Sequence, residues 1–170
     1  MISFRIARHA DAEQLLQTRR NTVISNTTGI YTDAILHAWA PQITDERISQ
    51  EAKALEHPNR ITIIAEDDTG QSKGTESSTM VIGICTIDVS KGLLQQCYVL
   101  PAYHGRGIAR ELVKQVETVA KERELSSLTV SSSLMATQFY QKQGYTERYR
   151  YDYTLDNGLQ MPCVMMEKIF

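Results

Sequence analysis

The chain has 170 residues, 42% hydrophobic and 22% charged, with 18 Lys and Arg against 20 Asp and Glu. This length buries one ordinary core without disulfides or a structural metal, so a single domain over residues 1–170 is expected. The balanced charge, with no long basic run, argues against a nucleic-acid partner. No window approaches the ~18 consecutive apolar residues of a membrane span, and the first residues, "MISFRIARHADAEQLL", lack the apolar core of a secretion signal. A cytoplasmic protein with no membrane partner is expected. Cys85, Cys97 and Cys163 are odd in number and lie in apolar stretches, as reduced core residues do.

In chain order, "ISFRIAR" alternates with period two and reads as a strand. "HADAEQLLQTRRNTV" follows as a helix, with Asp11 as a candidate cap. A short helix in "YTDAILHAWAP" starts near Thr32 and is stopped by Pro41, and "TDERISQEAKALEHP" gives a third. The β-branched runs "RITIIAED" and "MVIGICTIDVS" predict two antiparallel strands, joined by the polar loop "DTGQSKGTESST", which is expected to be mobile. "GLLQQCYVL" supplies a fourth strand, "RGIARELVKQVETVAKERE" a long amphipathic helix and "SLTVSSS" a fifth strand, which makes a parallel pair with a crossover helix. "ATQFYQKQG" is a short helix ended by Gly144. "YTERYRYDYTL", "DNG" and "QMPCVMMEKI" close the chain as a hairpin, with Pro162 suggesting an edge or an irregular entry.

The fold class is therefore α/β in the mixed, α+β sense, and not a doubly wound nucleotide fold, which repeats its β-α-β unit from the start. Chemistry concentrates between the fourth strand and the long helix. In "HGRGIA", Gly105 and Gly107 keep side chains away from a run of backbone N–H groups, and the first turn of the helix points its free amides at the same place. That arrangement suits phosphate, although a tight strand-to-helix turn would use glycine in the same way. The Walker ending Gly-Lys-Ser/Thr is absent, and Arg110 occupies the third glycine position of a dinucleotide fingerprint.

"YVLPAYHGRGIAREL" resembles the acetyl-CoA-binding motif of the GNAT superfamily of N-acetyltransferases: Gln or Arg, two residues, Gly, one residue, Gly or Ala. The pattern falls on His104, Gly107 and Ala109, with His104 departing from the usual first residue. Downstream, "ATQFYQKQGY" is similar to a second family segment, with Ala136, Phe139, Tyr140, Gly144 and Tyr145 matching in order and spacing. The resemblance implies a GNAT-like central mixed, mostly antiparallel sheet of about seven strands, with helices on both faces and strands four and five parallel and splayed. It also implies acetyl-CoA as co-substrate and no metal. The four histidines independently show no ligand spacing with the cysteines.

The implied activity is direct transfer of an acetyl group to a primary amine in a ternary complex, on a small-molecule or peptide acceptor. A non-catalytic acyl-CoA-binding module is the alternative. The resemblance assigns cofactor binding to Cys97, Tyr98 and Val99 through their backbone, and to His104, Gly105, Arg106, Gly107, Ile108, Ala109 and Arg110 around the pyrophosphate. It assigns Tyr140 as the acid that protonates the departing sulfur, a role that a phenol with an ordinary pKa of about 10 fills at neutral pH. Where family members often carry a carboxylate on the fourth strand, this chain has Gln95 and Gln96, which leaves ordered water, Glu66 or Asp88 to accept the amine proton. Tyr31, His37, Trp39 and the alternating Tyr149, Tyr151 and Tyr153 are candidates for the acceptor wall, and each reads equally as packing or surface. An exposed closing hairpin would also allow a homodimer.

Overall fold

The computed structural model describes residues 1–26, 28–68 and 79–170. In chain order its elements are β1 (Ile2–Ile6), α1 (Ala12–Ile24), α2 (Asp33–Trp39), α3 (Asp45–Leu55), β2 (Arg60–Asp68), β3 (Thr79–Asp88), β4 (Leu93–Val99), α4 (Ile108–Glu122), β5 (Ser127–Ser133), α5 (Thr137–Lys142), β6 (Thr146–Thr154) and β7 (Gln160–Ile169). The strands form one seven-stranded sheet in the order β1-β2-β3-β4-β5-β7-β6. Only β4 and β5 are parallel; all other neighbours are antiparallel. Most of the polar connector read from the sequence between β2 and β3 lies outside the described residues.

Both faces of the sheet centre are covered, which is why β2 and β3 read as unbroken apolar runs rather than alternating ones. On one face Leu112, Val113 and Val116 of α4 pack into a core with Ile82, Cys85 and Ile87 of β3. Gly83 allows this approach, since a Cβ there would lie 3.0 Å from Leu112 and 3.3 Å from Ile108. On the opposite face Leu15 of α1 packs with Ile64 and Ile84. Leu15, Leu112 and Ile84 are each at most 1% exposed, so the crossover helix and α1 are held by burial on both sides of β3 and β4.

Local signals behave largely as expected. Thr32 caps α2 by accepting from the Ile35 N–H, and Thr44 caps α3 by accepting from the Arg47 N–H. Two expectations are corrected. Asp11 makes no side-chain cap on α1, because its carboxylate is taken by Arg5 and by the Arg8 N–H. β7 runs between β5 and β6, which overturns the edge reading and leaves the irregular entry as the one that fits Pro162. It is tolerated because the β5 pairing stops at Ser133↔Cys163, one residue short of it. The Tyr31 hydroxyl instead donates to the Pro162 carbonyl at 2.6 Å.

Candidate functional site

The site begins where the parallel pair comes apart. β4 and β5 pair only at Leu93↔Thr129 and Leu94↔Val130. Just beyond, Leu94 faces Ile87 and Gln96 faces Thr86, so Gln95 has no opposite residue on β3. Such a bulge bends its strand, and here the pairing between β4 and β5 ends at the bulge.

The direction of the freed backbone follows from its neighbours. The Leu100 N–H donates to the Ile82 carbonyl at 2.9 Å, and hydrogen-bonding direction alternates along a strand. Cys97 and Val99 therefore turn their peptide groups into the gap, while Tyr98 turns its own toward β3. Of the three residues expected to offer backbone to a ligand, Tyr98 thus has its peptide group turned away from the gap, and its ring lies beside Trp39 and Arg19. On the other side the Thr129 N–H donates to the Gly92 carbonyl at 2.8 Å, which leaves Ser131 and Ser133 facing the same gap.

The glycine turn follows directly. A 3-10 turn over Pro101–Tyr103 leads to His104, and Gly105 and Gly107 adopt φ of 76° and 78°. Both angles lie in the left-handed region where glycine carries no penalty. A Cβ on either glycine would meet nothing within 4 Å, so the turn is open above both. Gly107 caps α4 without a side-chain bond, and the first N–H used within the helix is that of Glu111, to the Gly107 carbonyl at 3.0 Å. The amides of Ile108, Ala109 and Arg110 are thus free first-turn donors at the positive end of a fifteen-residue helix.

Side chains around the turn are already engaged. His104 donates from Nε2 to the Val99 carbonyl at 2.8 Å, which braces the turn against the end of β4. Its ring is therefore a strut through Nε2, and the residue also walls the main cavity. The Arg106 guanidinium lies 4.9 Å from the centre of the Tyr103 ring, whose hydroxyl donates to Asp67 at 3.0 Å. The Ile108 side chain is buried in the core, and Arg110 is exposed beside the open amides.

A cavity of about 610 Å³ passes through the gap, walled by Cys97, Ser131, Ser133 and Tyr140 among others. Tyr140 is 4% exposed, with its ring between Phe139 and Tyr145 at centroid distances of 5.1 and 5.5 Å. Its hydroxyl takes no hydrogen bond from the described residues and is not sealed from the cavity. Burial pushes this phenol well above its ordinary pKa, so it holds its proton at neutral pH.

The sequence suggested two carboxylates as bases, and neither is at the gap. Glu66 is bound by Arg5 at 2.6 and 2.9 Å, and Asp88 is held by Ser90 at the far end of β3. Among the described residues, Asp156 in the β6–β7 turn is the one carboxylate that walls the main cavity. Sequence reading treated it only as part of a turn signal. Of the proposed acceptor-wall residues, Trp39 and Tyr153 wall the cavity. Tyr31 is buried and bonded to Pro162 and to the Leu134 N–H, and His37 is bonded to the Asp33 carbonyl on the exposed side of α2. Cys97, read as core, is partly buried against the core opposite the buried Cys85 and also walls the cavity.

A splayed parallel pair beside an uncapped, glycine-entered helix is the structural form of the motif resemblance. The family model described as an acetyltransferase (GNAT) domain matches residues 31–169. The chain belongs to the GNAT acetyltransferase family. It is an acyltransferase with the GNAT fold.

Solved GNAT structures superpose over almost the full length. A GCN5-related N-acetyltransferase from Rhodopseudomonas palustris is 23% identical, with a TM-score of 0.81 over 99% of this chain and 95% of that one. PaiA N-acetyltransferase from Thermoplasma acidophilum, solved in complex with coenzyme A, is 18% identical, with a TM-score of 0.75 over 100% and 99%. YncA, a putative acetyltransferase from Salmonella typhimurium solved with acetyl-CoA, is 16% identical, with a TM-score of 0.66 over 99% and 94%. A search of curated proteins gives no match. No described helix of this GNAT protein is long and apolar enough to cross a membrane.

Proposed function

We propose that this GNAT protein transfers an acetyl group from acetyl-CoA directly to a primary amine, with both substrates bound in the gap between β4 and β5. The observation that carries this reading is one cavity walled by the unpaired β4 edge and the protonated phenol of Tyr140, with His104, which leads into the glycine turn and the start of α4, also in its wall. Two proteins of the same fold hold coenzyme A or acetyl-CoA, which supports the choice of donor.

The residues present fit that donor. The open space over Gly105 and Gly107, with the amides of Ile108, Ala109 and Arg110, suits a pyrophosphate, and Arg106 and Arg110 add positive charge at its rim. The Cys97 peptide group and the Val99 N–H suit an amide-bearing arm laid along β4 as an added strand. The Val99 carbonyl is excluded from that pairing because His104 occupies it.

Acetyl-CoA supplies an activated thioester; the chain supplies position and a proton. Holding amine and carbonyl carbon in contact inside a closed gap supplies much of the rate. Tyr140 keeps its proton on the phenol oxygen until the thiolate departs, and burial suits it to that task because it disfavours phenolate. No carboxylate stands on β4 beside the reacting centre, so the amine proton leaves through water in the cavity. Asp156, the one carboxylate among the described residues in the cavity wall, is the candidate terminus for that path.

Calorimetry with acetyl-CoA, paired with thiol release across amines, amino acids, polyamines, aminoglycosides and peptide N-termini, tests the proposal. Micromolar binding with thiol release on at least one amine class is expected. Tight binding with no release on any of them would reduce the protein to a carrier of acyl-CoA.

A further inference from the structure

Behind the Gln95 bulge lies a second chamber of about 160 Å³, walled in part by Arg19 of α1, Glu51 of α3, Arg60 of β2, and Gln95 and Gln96 of β4. Arg19, Gln95 and Gln96 also wall the main cavity, so the two spaces share one partition. Charge in this partition is not balanced. Arg60 is neutralised by Glu51, whose Oε1 accepts from its Nη2 at 2.7 Å. Arg19 has no carboxylate partner among the described residues; its Nη2 donates to the Trp39 carbonyl at 2.6 Å and its guanidinium lies 6.0 Å from the Tyr98 ring centre.

Two charged donors, one in this partition and one in the second chamber's wall, are also left over. Arg19 Nε and Arg60 Nη1 are buried and meet no acceptor. A buried charged donor without a partner is a costly defect, and water would satisfy its hydrogen bond but not its charge. Those two nitrogens are closed to solvent, so a ligand would meet Arg19 through the part of its guanidinium that walls the cavity, where a carboxylate answers the charge and matches the guanidinium fork. The partition meets the main cavity at the β4 bulge, and Cys97 and Tyr140, which the reading above places along the donor's arm and at its sulfur, wall that same cavity.

We propose that the acceptor is a small amine that also carries a carboxylate, a free amino acid in the simplest case, and that Arg19 is the residue that selects it. The inference rests on the acetyl-transfer reading and adds its substrate class. Polyamines and aminoglycosides, which bring only positive charge to an unneutralised arginine, are poor acceptors.

The test compares each of several L-amino acids with its own carboxamide, following thiol release from acetyl-CoA. The acid is expected to exceed the amide by about 10- to 100-fold in kcat/KM, the range for a charge-assisted hydrogen bond. Arg19→Met is expected to remove that preference while leaving acetyl-CoA affinity within about threefold, and Arg19→Lys, which keeps the charge and the stem over Tyr98, to retain part of it. Equal or better turnover of the amides, or an acid preference that survives Arg19→Met in a protein of unchanged melting temperature, overturns the proposal. Failure of the transfer reading looks different: acetyl-CoA binds and no amine releases thiol. In that event calorimetry of amino acid against carboxamide on the coenzyme A-loaded protein decides the subsite, and equal or undetectable binding of the two rejects it.

Discussion

His104 and Val99 are joined across the 3-10 turn that leads into the glycine turn: Nε2 of the ring donates to the carbonyl of the last residue of β4 over 2.8 Å. The residue that departs from the family motif thus fixes where the turn sits relative to the strand edge. His104→Ala is expected to weaken acetyl-CoA binding about 5- to 10-fold, the worth of one positioning hydrogen bond, while the melting temperature moves by only a few degrees. His104→Gln, whose side-chain amide can donate to the same carbonyl, is expected to stay within about threefold of the parent. Calorimetry on the two variants decides it, and an Ala variant that binds as tightly as the parent removes the strut from the account.

Gly107 and Gly158 share a backbone state, with φ of 78° and 83° and no atom within 4 Å of an added Cβ. Alanine at either position pays the same left-handed strain, roughly 1–2 kcal/mol. Their surroundings differ, because Gly107 starts the helix that faces the proposed pyrophosphate and Gly158 turns the closing hairpin. Gly107→Ala is expected to lose at least tenfold in coenzyme A affinity and Gly158→Ala less than twofold, at comparable urea midpoints. Matched affinity losses in the two variants would mean that strain alone, and not occupied space, explains the effect.

Tyr140 stays protonated because its ring is buried between Phe139 and Tyr145. A phenol whose pKa is raised is in its acid form over a wider range upward, so the kcat profile should show no fall from Tyr140 between pH 7 and 10. Tyr140→Phe is expected to lower kcat by about 100-fold, at the low end for a general acid, with acetyl-CoA affinity unchanged within about threefold. A Phe variant with parental kcat on a good acceptor assigns the proton to another donor.

Arg5 holds two buried carboxylates, donating to Asp11 at 2.7 and 2.8 Å and to Glu66 at 2.6 and 2.9 Å. The hydrogen bonds from Arg5 lower the Asp11 pKa below its ordinary value. A carboxyl lowered on folding stabilises the protein at pH above its unfolded pKa, near 4, and that contribution is lost as pH falls through the folded value. Arg5→Met is expected to cost about 3 kcal/mol at pH 7, the lower bound for breaking a buried pair, since Arg5 keeps 29% of its side chain exposed. The same variant should lose less stability than the parent between pH 5 and 3. Urea denaturation at pH 7, 5 and 3 measures both, and parallel acid sensitivity in the two proteins would place the titrating groups elsewhere.

The fold was legible in the sequence because its signals are local and periodic: "SLTVSSS" alternates and becomes β5, and "GIARELVKQV" carries the apolar stripe that α4 buries. The turn was legible because Gly105 and Gly107 mark a backbone state that few other residues adopt. What stayed hidden depends on distant residues meeting. Gln95 becomes a bulge only when β3 and β4 are in register, and that bulge decides which of Cys97, Tyr98 and Val99 face the gap. Asp156 and Arg19 lie 137 positions apart on the chain and wall one cavity, and neither stands in a pattern that periodicity can find. Asp11 has the composition of a cap, but the approach of Arg5 from β1 gives it a stronger partner than the helix start.

Cys97 provides a direct reading of where the donor lies. Cys85 is fully buried and Cys163 is 4% exposed, and burial pushes both thiols up, which lowers their thiolate fraction. Cys97 is partly exposed and walls the gap at the strand edge proposed to hold the pantetheine arm. Iodoacetamide is therefore expected to label Cys97 at least about tenfold faster than the other two, since alkylation tracks accessible thiolate. Saturating acetyl-CoA should slow that labelling in proportion to occupancy, because an arm lying along β4 covers the thiol. Peptide mapping by mass spectrometry, with and without acetyl-CoA, separates the three sites. Labelling of Cys97 that proceeds unchanged under saturating acetyl-CoA would place the donor outside the gap, and would remove Tyr140 from contact with its sulfur as well.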